Sequence, residues 1–233
     1  MKKQTLILIP GLLCDAEVWL HQRKNLQMTP DIIVPDLSTA ATPEEMVNAA
    51  LNHAPDTFAL AGHSMGGWIA LEIMRVASER VSRLCLLNTT AAPDSPGKTA
   101  ARRDMIHLTQ DGHFDEVAER LMSVFLFRHH CADSVRAMLY RNKAAFISQE
   151  SAMLARKDCL SIPGKITCPT LIIHADQDAV FSLRDSRTLH AGIHGARLAR
   201  IQHCGHMSPM EAPEEVTALM QAWMNDEHFP MME

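Results

Sequence analysis

The sequence contains no Cys-x-x-Cys pair, and its six cysteines (14, 85, 131, 159, 168 and 204) follow no regular spacing, so it offers no sign of a disulfide framework. Cys85 lies within one apolar run and Cys168 begins another, which reads as reduced core thiols in a cytoplasmic protein. No stretch approaches the roughly 20 apolar residues that span a membrane. There is no basic block, and the formal net charge is −5, which argues against nucleic acid and anionic membrane surfaces as partners. Gly-x-Gly-x-x-Gly and the P-loop pattern are both missing, so neither a metal nor an organic cofactor is implied. Internal repeats and low-complexity segments are absent as well. Lys2-Lys3, Leu6 to Ile9 and Cys14 superficially imitate a lipoprotein leader. Pro10-Gly11 breaks that apolar stretch, and Leu13 is too large to precede a processed cysteine.

What is present centres on Gly62-His63-Ser64-Met65-Gly66-Gly67. The preceding run, Thr57 to Ala61, is too short for a helix and reads as a buried strand. The following run, Trp68 to Met74, has helical period. Gly-x-Ser-x-Gly alone recurs by chance in roughly one chain in ten of this length. Between strand and helix it is a nucleophile elbow, a turn tight enough to strain the serine backbone. Gly62 and Gly66 are required where a β-carbon would strike neighbouring backbone. The helix that starts at Ser64 aims its unpaired N–H groups at the place where an oxyanion would form.

At 233 residues the chain is long enough for one large α/β domain with a well-buried core. Strands are expected at Thr5 to Ile9, Ile32 to Val34, Thr57 to Ala61 and Leu84 to Leu87. The intervening helices are expected at Ala16 to Gln27, from Thr42 or Pro43 to His53 with Glu45 completing a capping box, and from the elbow to Ser78. Such alternation implies parallel pairing and a doubly wound, mostly parallel sheet. From Lys98 to Asp158 only helical signals occur, in about four helices. In one of them Val117, Leu121, Val124 and Phe125 share a face. The strand pattern returns at Pro169 to His174. A helix from Leu183 to Ala191, a strand from Ala196 to Ile201, a helix from Pro213 to Met224 and a loose tail from Asn225 follow. The expected organisation is a core of residues 1–92 and 164–233 with a helical cap, residues 93–163, inserted into it. A helical side domain with no role at the site is the alternative.

A serine hydroxyl needs a base within hydrogen-bond reach, and that base needs an acid to fix its tautomer. In parallel α/β sheets such groups gather at the carboxyl ends of strands. Two later loops qualify, His174-Ala175-Asp176-Gln177-Asp178 and His203-Cys204-Gly205-His206-Met207.

Together these residues resemble the α/β-hydrolase superfamily over essentially the whole chain. The order Ser…Asp…His is that family's order. Asp178 matches its acid, three residues past Ala175, where Gly is usual; Asp176 is the rival. His206 lies in Gly-His-Met-Ser-Pro-Met-Glu-Ala-Pro, similar to the family's Gly-His-x4-Glu-x-Pro. Pro10-Gly11-Leu12 matches its His-Gly-x loop, which implies an oxyanion hole from the Leu12 and Met65 amides. Pro10 departs from the usual His, and the segment after Asp36 lacks a frequent Gly-x-Gly that shapes one wall of the entrance. The chain reaches the oxyanion strand directly, as a compact member would.

The resemblance implies a serine hydrolase in which Ser64, His206 and Asp178 cleave a small-molecule ester, thioester or lactone through an acyl-enzyme. Carbon–carbon bond hydrolases, lyases and ligand sensors share the frame. Among the remaining residues, His63 is expected to shape the pocket floor, and Met65, Met207 and Met122 to line an apolar acyl pocket. Asp176 is expected to cap its turn or bind backbone amides. His129-His130-Cys131 lacks the spaced ligands of a metal site. Asn88-Thr89-Thr90 is a glycosylation sequon by pattern only.

Overall fold

The computed structural model describes residues 4–27 and 31–226. Six strands form one sheet: β1 (Leu6–Ile9), β2 (Ile32–Ile33), β3 (Phe58–His63), β4 (Val81–Leu87), β5 (Thr170–Ala175) and β6 (Arg197–Ile201). Their spatial order is β2-β1-β3-β4-β5-β6, and every pairing is parallel. All residues of β1, β3 and β5 are buried, which is why these strands read as unbroken apolar runs rather than alternating ones. The order reverses between β1 and β3, and a crevice opens at the carboxyl ends of strands where such a reversal occurs. Residues Ile9, His63, Leu87, Ala175 and Ile201 close the five longer strands, so the loops after them share one edge.

The helices beside the sheet are α1 (Leu20–Asn25), α2 (Pro43–Leu51), α3 (Met65–Ala77), α8 (Leu183–Gly192), α9 (Ser208–Glu211) and α10 (Pro213–Met224). Inserted between the paired strands β4 and β5 are four more, α4 (Pro96–Gln110), α5 (Phe114–Phe125), α6 (Ala132–Arg141) and α7 (Phe146–Ala155). The expected capping box at α2 forms: Thr42 Oγ1 accepts from the Glu45 amide at 3.2 Å, and the Glu45 carboxylate accepts from Thr42 N–H at 3.2 Å. Three details differ from expectation. The first helical stretch begins as a 3-10 turn, Ala16–Trp19. Strand β4 starts three residues early, at Val81, where Val81 pairs with Phe58 across a shift in register that leaves Ser82 without a partner position, its Oγ donating to the Phe58 carbonyl at 2.8 Å. Helix α9 is a single turn, too short to show a period.

Residues 1–3 of the leader-like stretch and residues 227–233 of the expected tail lie outside the described residues. Asp226 is tied down by ion pairs to Arg83 at 3.3 Å and Arg197 at 3.6 Å. No helix among the described residues is long and apolar enough to cross a membrane.

Helix α3 leaves β3 through the elbow and presses on the end of β1. A β-carbon on Gly66 would overlap the Ile9 carbonyl, and one on Gly62 would overlap the Gly66 carbonyl. Both obstacles are backbone, which cannot step aside. Gly66→Ala is therefore expected to lower unfolding free energy by about 1–3 kcal/mol or more. Gly97→Ala, in α4, meets only Ser95 Oγ at 3.9 Å and should be neutral or stabilising by up to ~1 kcal/mol. Urea denaturation of the two variants checks this; equal effects would contradict it.

Candidate active site

Ser64 stands at the elbow with φ 55° and ψ −118°, a conformation a serine adopts only under constraint. The Ser64 amide continues the sheet by donating to the Leu87 carbonyl at 2.9 Å, and its own carbonyl accepts from Thr89 Oγ1 at 2.8 Å. Every other residue from 58 to 74 is buried; Ser64 alone keeps some exposure. The fold spends strain to present that one hydroxyl.

His206, in the loop between β6 and α9, places Nε2 2.8 Å from Ser64 Oγ. Its Nδ1 lies 3.1 and 3.0 Å from the two oxygens of Asp178. A carboxylate only accepts, so Nδ1 carries the hydrogen, and Nε2 is left as the acceptor for the serine hydroxyl. Burial alone would push Asp178 up. The His206 charge and hydrogen bonds, the Asn88 amide and the Phe181 amide outweigh burial and hold the carboxyl down to about 2. Donors surround it: Val180 N–H at 2.7 Å, Phe181 N–H at 3.1 Å and Asn88 Nδ2 at 2.9 Å. The His206 ring packs among His63 (5.0 Å between centroids), Phe125 (5.3 Å) and Phe181 (5.8 Å).

Of the two candidate acids, Asp178 meets His206 and Asp176 does not. Nor does Asp176 cap its turn. It forms a two-pronged ion pair with Arg200 on β6, at 2.9 and 3.0 Å. Leu12 and Met65 border the same cavity as Ser64. Among the described residues neither amide has a hydrogen-bond acceptor, so both N–H groups remain available to a developing negative charge.

The cavity measures about 340 Å³. Ten of its sixteen lining residues come from α4, α5 and α7, among them Met105, Leu121, Val124, Phe125 and Met153. Val124 is 37 % exposed by virtue of facing this space. Met207 and Met122 are buried but do not line it, and His63 lies behind the loop rather than on the floor. One wall is polar. Arg102 bridges Asp94 and Glu150, both at 2.6 Å, and Arg156 joins Asp94 at 2.6 Å. Burial pushes the Glu150 carboxyl up. The segment after Asp36 borders a separate cavity of about 310 Å³ and not this one.

Two contributors were given no role from the sequence, although Glu211 is the Glu of the Gly-His-x4-Glu-x-Pro stretch. Asn88, first past β4, donates to Asp178 and accepts from Ser208 Oγ at 2.6 Å, so its sequon is a buried hydrogen-bond relay. Its position at a strand's carboxyl end was the signal available. Glu211 is fully buried. Its carboxylate accepts from the amides of Gly205, Met207, Phe127 and Arg128 at 2.6–3.1 Å, which fixes the His206 loop. No group of three or more His, Cys, Asp or Glu among the described residues stands where it would hold a metal, and His130 instead contacts the Met210 carbonyl at 3.3 Å.

Residues 6–219 match the model of the alpha/beta hydrolase family, and the chain belongs to that family. Hydrolase is the enzyme class that this fold and these relatives define. The chain is 25 % identical to a pimeloyl-[acyl-carrier protein] methyl ester esterase of Aromatoleum aromaticum, over 95 % of this chain and 98 % of that protein. It is 26 % identical to an (E)-2-((N-methylformamido)methylene)succinate hydrolase of Acinetobacter baylyi, over 95 % and 90 % of the two chains. Among solved structures, a thermophilic esterase from Thermogutta terrifontis superposes with a TM-score of 0.86 at 25 % identity, covering 97 % of this chain and 91 % of that one.

His63 supplies a pH signature. Its Nε2 is 2.8 Å from the His206 carbonyl and must donate to it, while Nδ1 is buried without a partner. Burial, then the neighbouring His206 charge, lowers His63 from 6.5 to about 3. The folded state thus refuses a proton that the unfolded chain accepts, so this contribution is complete above pH 6.5 and lost as pH falls toward 3. Between pH 7 and 5 the wild type should lose about 2 kcal/mol more unfolding free energy than His63→Gln. Urea titrations at both pH values test it; parallel losses would contradict it.

Proposed function

We propose that this protein hydrolyses a small-molecule ester, thioester or lactone through an acyl-enzyme on Ser64. The observation that carries the reading is the unbroken hydrogen-bonded line from Ser64 Oγ to His206 to Asp178, beside two unengaged amides. Ser64 Oγ attacks the carbonyl carbon while His206 Nε2 takes its proton. Asp178 holds the imidazole in the required tautomer and balances its positive charge. The Leu12 and Met65 amides receive the oxyanion. His206 then gives its proton to the leaving group. Water, activated by His206 in turn, releases the acid.

The relatives favour ester chemistry, since one is named a methyl ester esterase and a solved neighbour an esterase. Residues 93–163 act as a cap on the core formed by residues 1–92 and 164–233, because their helices supply most of the cavity wall. A cavity of this size is at the lower end of ligand pockets, roughly 300–1,000 Å³, which suits a short to medium acyl group. The six unpaired cysteines support a reducing, cytoplasmic setting.

Ser64→Ala is expected to abolish labelling by a serine-directed phosphonate and to lower kcat on an aryl ester by about 10⁴–10⁶. Asp178→Asn should cost about 10⁴ in kcat by admitting the wrong histidine tautomer. Asp176→Asn, which only loses its ion pair to Arg200, should cost no more than about tenfold. Steady-state kinetics on variants of matched melting temperature decide between them; the reverse ranking would transfer the role to Asp176.

A further inference from the structure

The loop that offers the Leu12 amide is bent in a way its own residues do not favour. Cys14 N–H donates to the Gly11 carbonyl at 3.1 Å, which closes a four-residue turn with Leu12 and Leu13 at its centre. Leu13 has φ 56°, whereas Leu12 is not among the positive-φ residues. That is the pattern of a type II turn, whose third position normally takes glycine or asparagine. A leucine there is strained, and flipping the Leu12–Leu13 peptide would relieve it. Something outside the loop holds the peptide in place.

Within the turn the weakly donating Cys14 thiol reaches the Leu12 carbonyl at 3.4 Å, and the stronger restraint comes from the inserted helices. Gln149 on α7 is 2 % exposed, and its Oε1 accepts from Leu13 N–H, the donor of the very peptide that would flip, at 2.9 Å. Its Nε2 donates to the Leu37 carbonyl at 3.4 Å, which anchors the carboxamide from the other side. Asn142, just past α6, donates to the Leu13 carbonyl at 3.2 Å and to Asp15 at 2.9 Å.

We infer that Gln149 is a positioning residue for the oxyanion loop, and that the insertion thereby sets the rate of the chemical step as well as the shape of the acyl cavity. This rests on the Leu12 and Met65 amides receiving the oxyanion. A peptide released from Gln149 turns the Leu12 carbonyl, and the loop no longer holds the Leu12 amide at the developing charge. Gln149 itself does not line the cavity, so its loss falls on kcat more than on KM.

The test compares Gln149→Met, of similar length but with no acceptor, with Gln149→Glu, which keeps an oxygen for Leu13 N–H. Active sites are counted by phosphonate titration, so misfolded protein does not enter kcat. Gln149→Met should lose ten- to a hundredfold in kcat with KM within threefold, and affinity for a trifluoromethyl ketone, which mimics the tetrahedral adduct, should fall by the same factor. Gln149→Glu should recover at least a third of the wild-type kcat. If Gln149→Met does not fold, Asn142→Ala should show the same pattern at three- to tenfold. Wild-type kcat per titrated site in either variant, or a loss appearing in KM alone, overturns the inference. A wild-type protein that the phosphonate does not label would instead remove the hydrolytic reading beneath it.

Discussion

A carboxylate sealed from water must have its lone pairs satisfied, and the organisation of this site follows from how Asp178 meets that demand. Its five hydrogen-bonding contacts come from three places: the amides of its own loop, Asn88 beyond β4, and His206 beyond β6. Each contact fixes a different strand end relative to the others. The Val180 and Phe181 amides turn the β5 loop back over the sheet edge, bringing Phe181 against the His206 ring. Asn88 draws Ser208 to the same spot and with it the start of α9. Removing a partner from such a buried charge costs more than the bond itself, because the charge is left without solvent or donor.

Three groups of contacts between the insertion and the core bear on the surroundings of Ser64 and His206. Phe125 of α5 packs on His206, and its carbonyl accepts from Met207 N–H at 3.1 Å. Glu211 ties the His206 loop to the amides of Phe127 and Arg128, just past α5. Gln149 and Asn142 hold the backbone of Leu13, beside Leu12. The inserted segment that walls the cavity thus also touches His206 and the Leu12–Leu13 turn, so substitutions in it reach more than the cavity's shape. The Arg102, Asp94, Glu150 and Arg156 group joins α4 to α7, and its Arg102 and Glu150 form the polar wall of the cavity.

Much of this is legible in the chain because it is local. The elbow, the capping box at Thr42 and the four inserted helices depend on neighbours within a few residues, and periodicity or glycine spacing reports them directly. Ser64 and His206 were marked by short stretches of distinctive composition. Asp178 and Asp176 are separated by one residue, and only the pairing of β5 with β6 decides that Asp176 meets Arg200 instead. Asn88 and Gln149 escape notice for a related reason, and the stretch that contains Glu211 does not show what its carboxylate holds. Their partners lie 90, 83–84 and 136 residues away in sequence for the Asp178, Phe127–Arg128 and Leu13 contacts. No local pattern distinguishes Asn88 and Gln149 from ordinary polar residues. The methionines illustrate the converse: Met122 and Met207 have the composition of a pocket lining, but packing of α5 and of the loop before α9 turns both away from the cavity.

The central claim is that Ser64 Oγ carries the acyl group between two half-reactions. The most direct measurement is the intact mass of the protein, acid-quenched during steady turnover of a slowly deacylated aryl ester and then digested. The account predicts a population heavier by one acyl group, with the added mass confined to the peptide that contains Ser64. Turnover with no acylated protein at any quench time, or an adduct on a different residue, would contradict it.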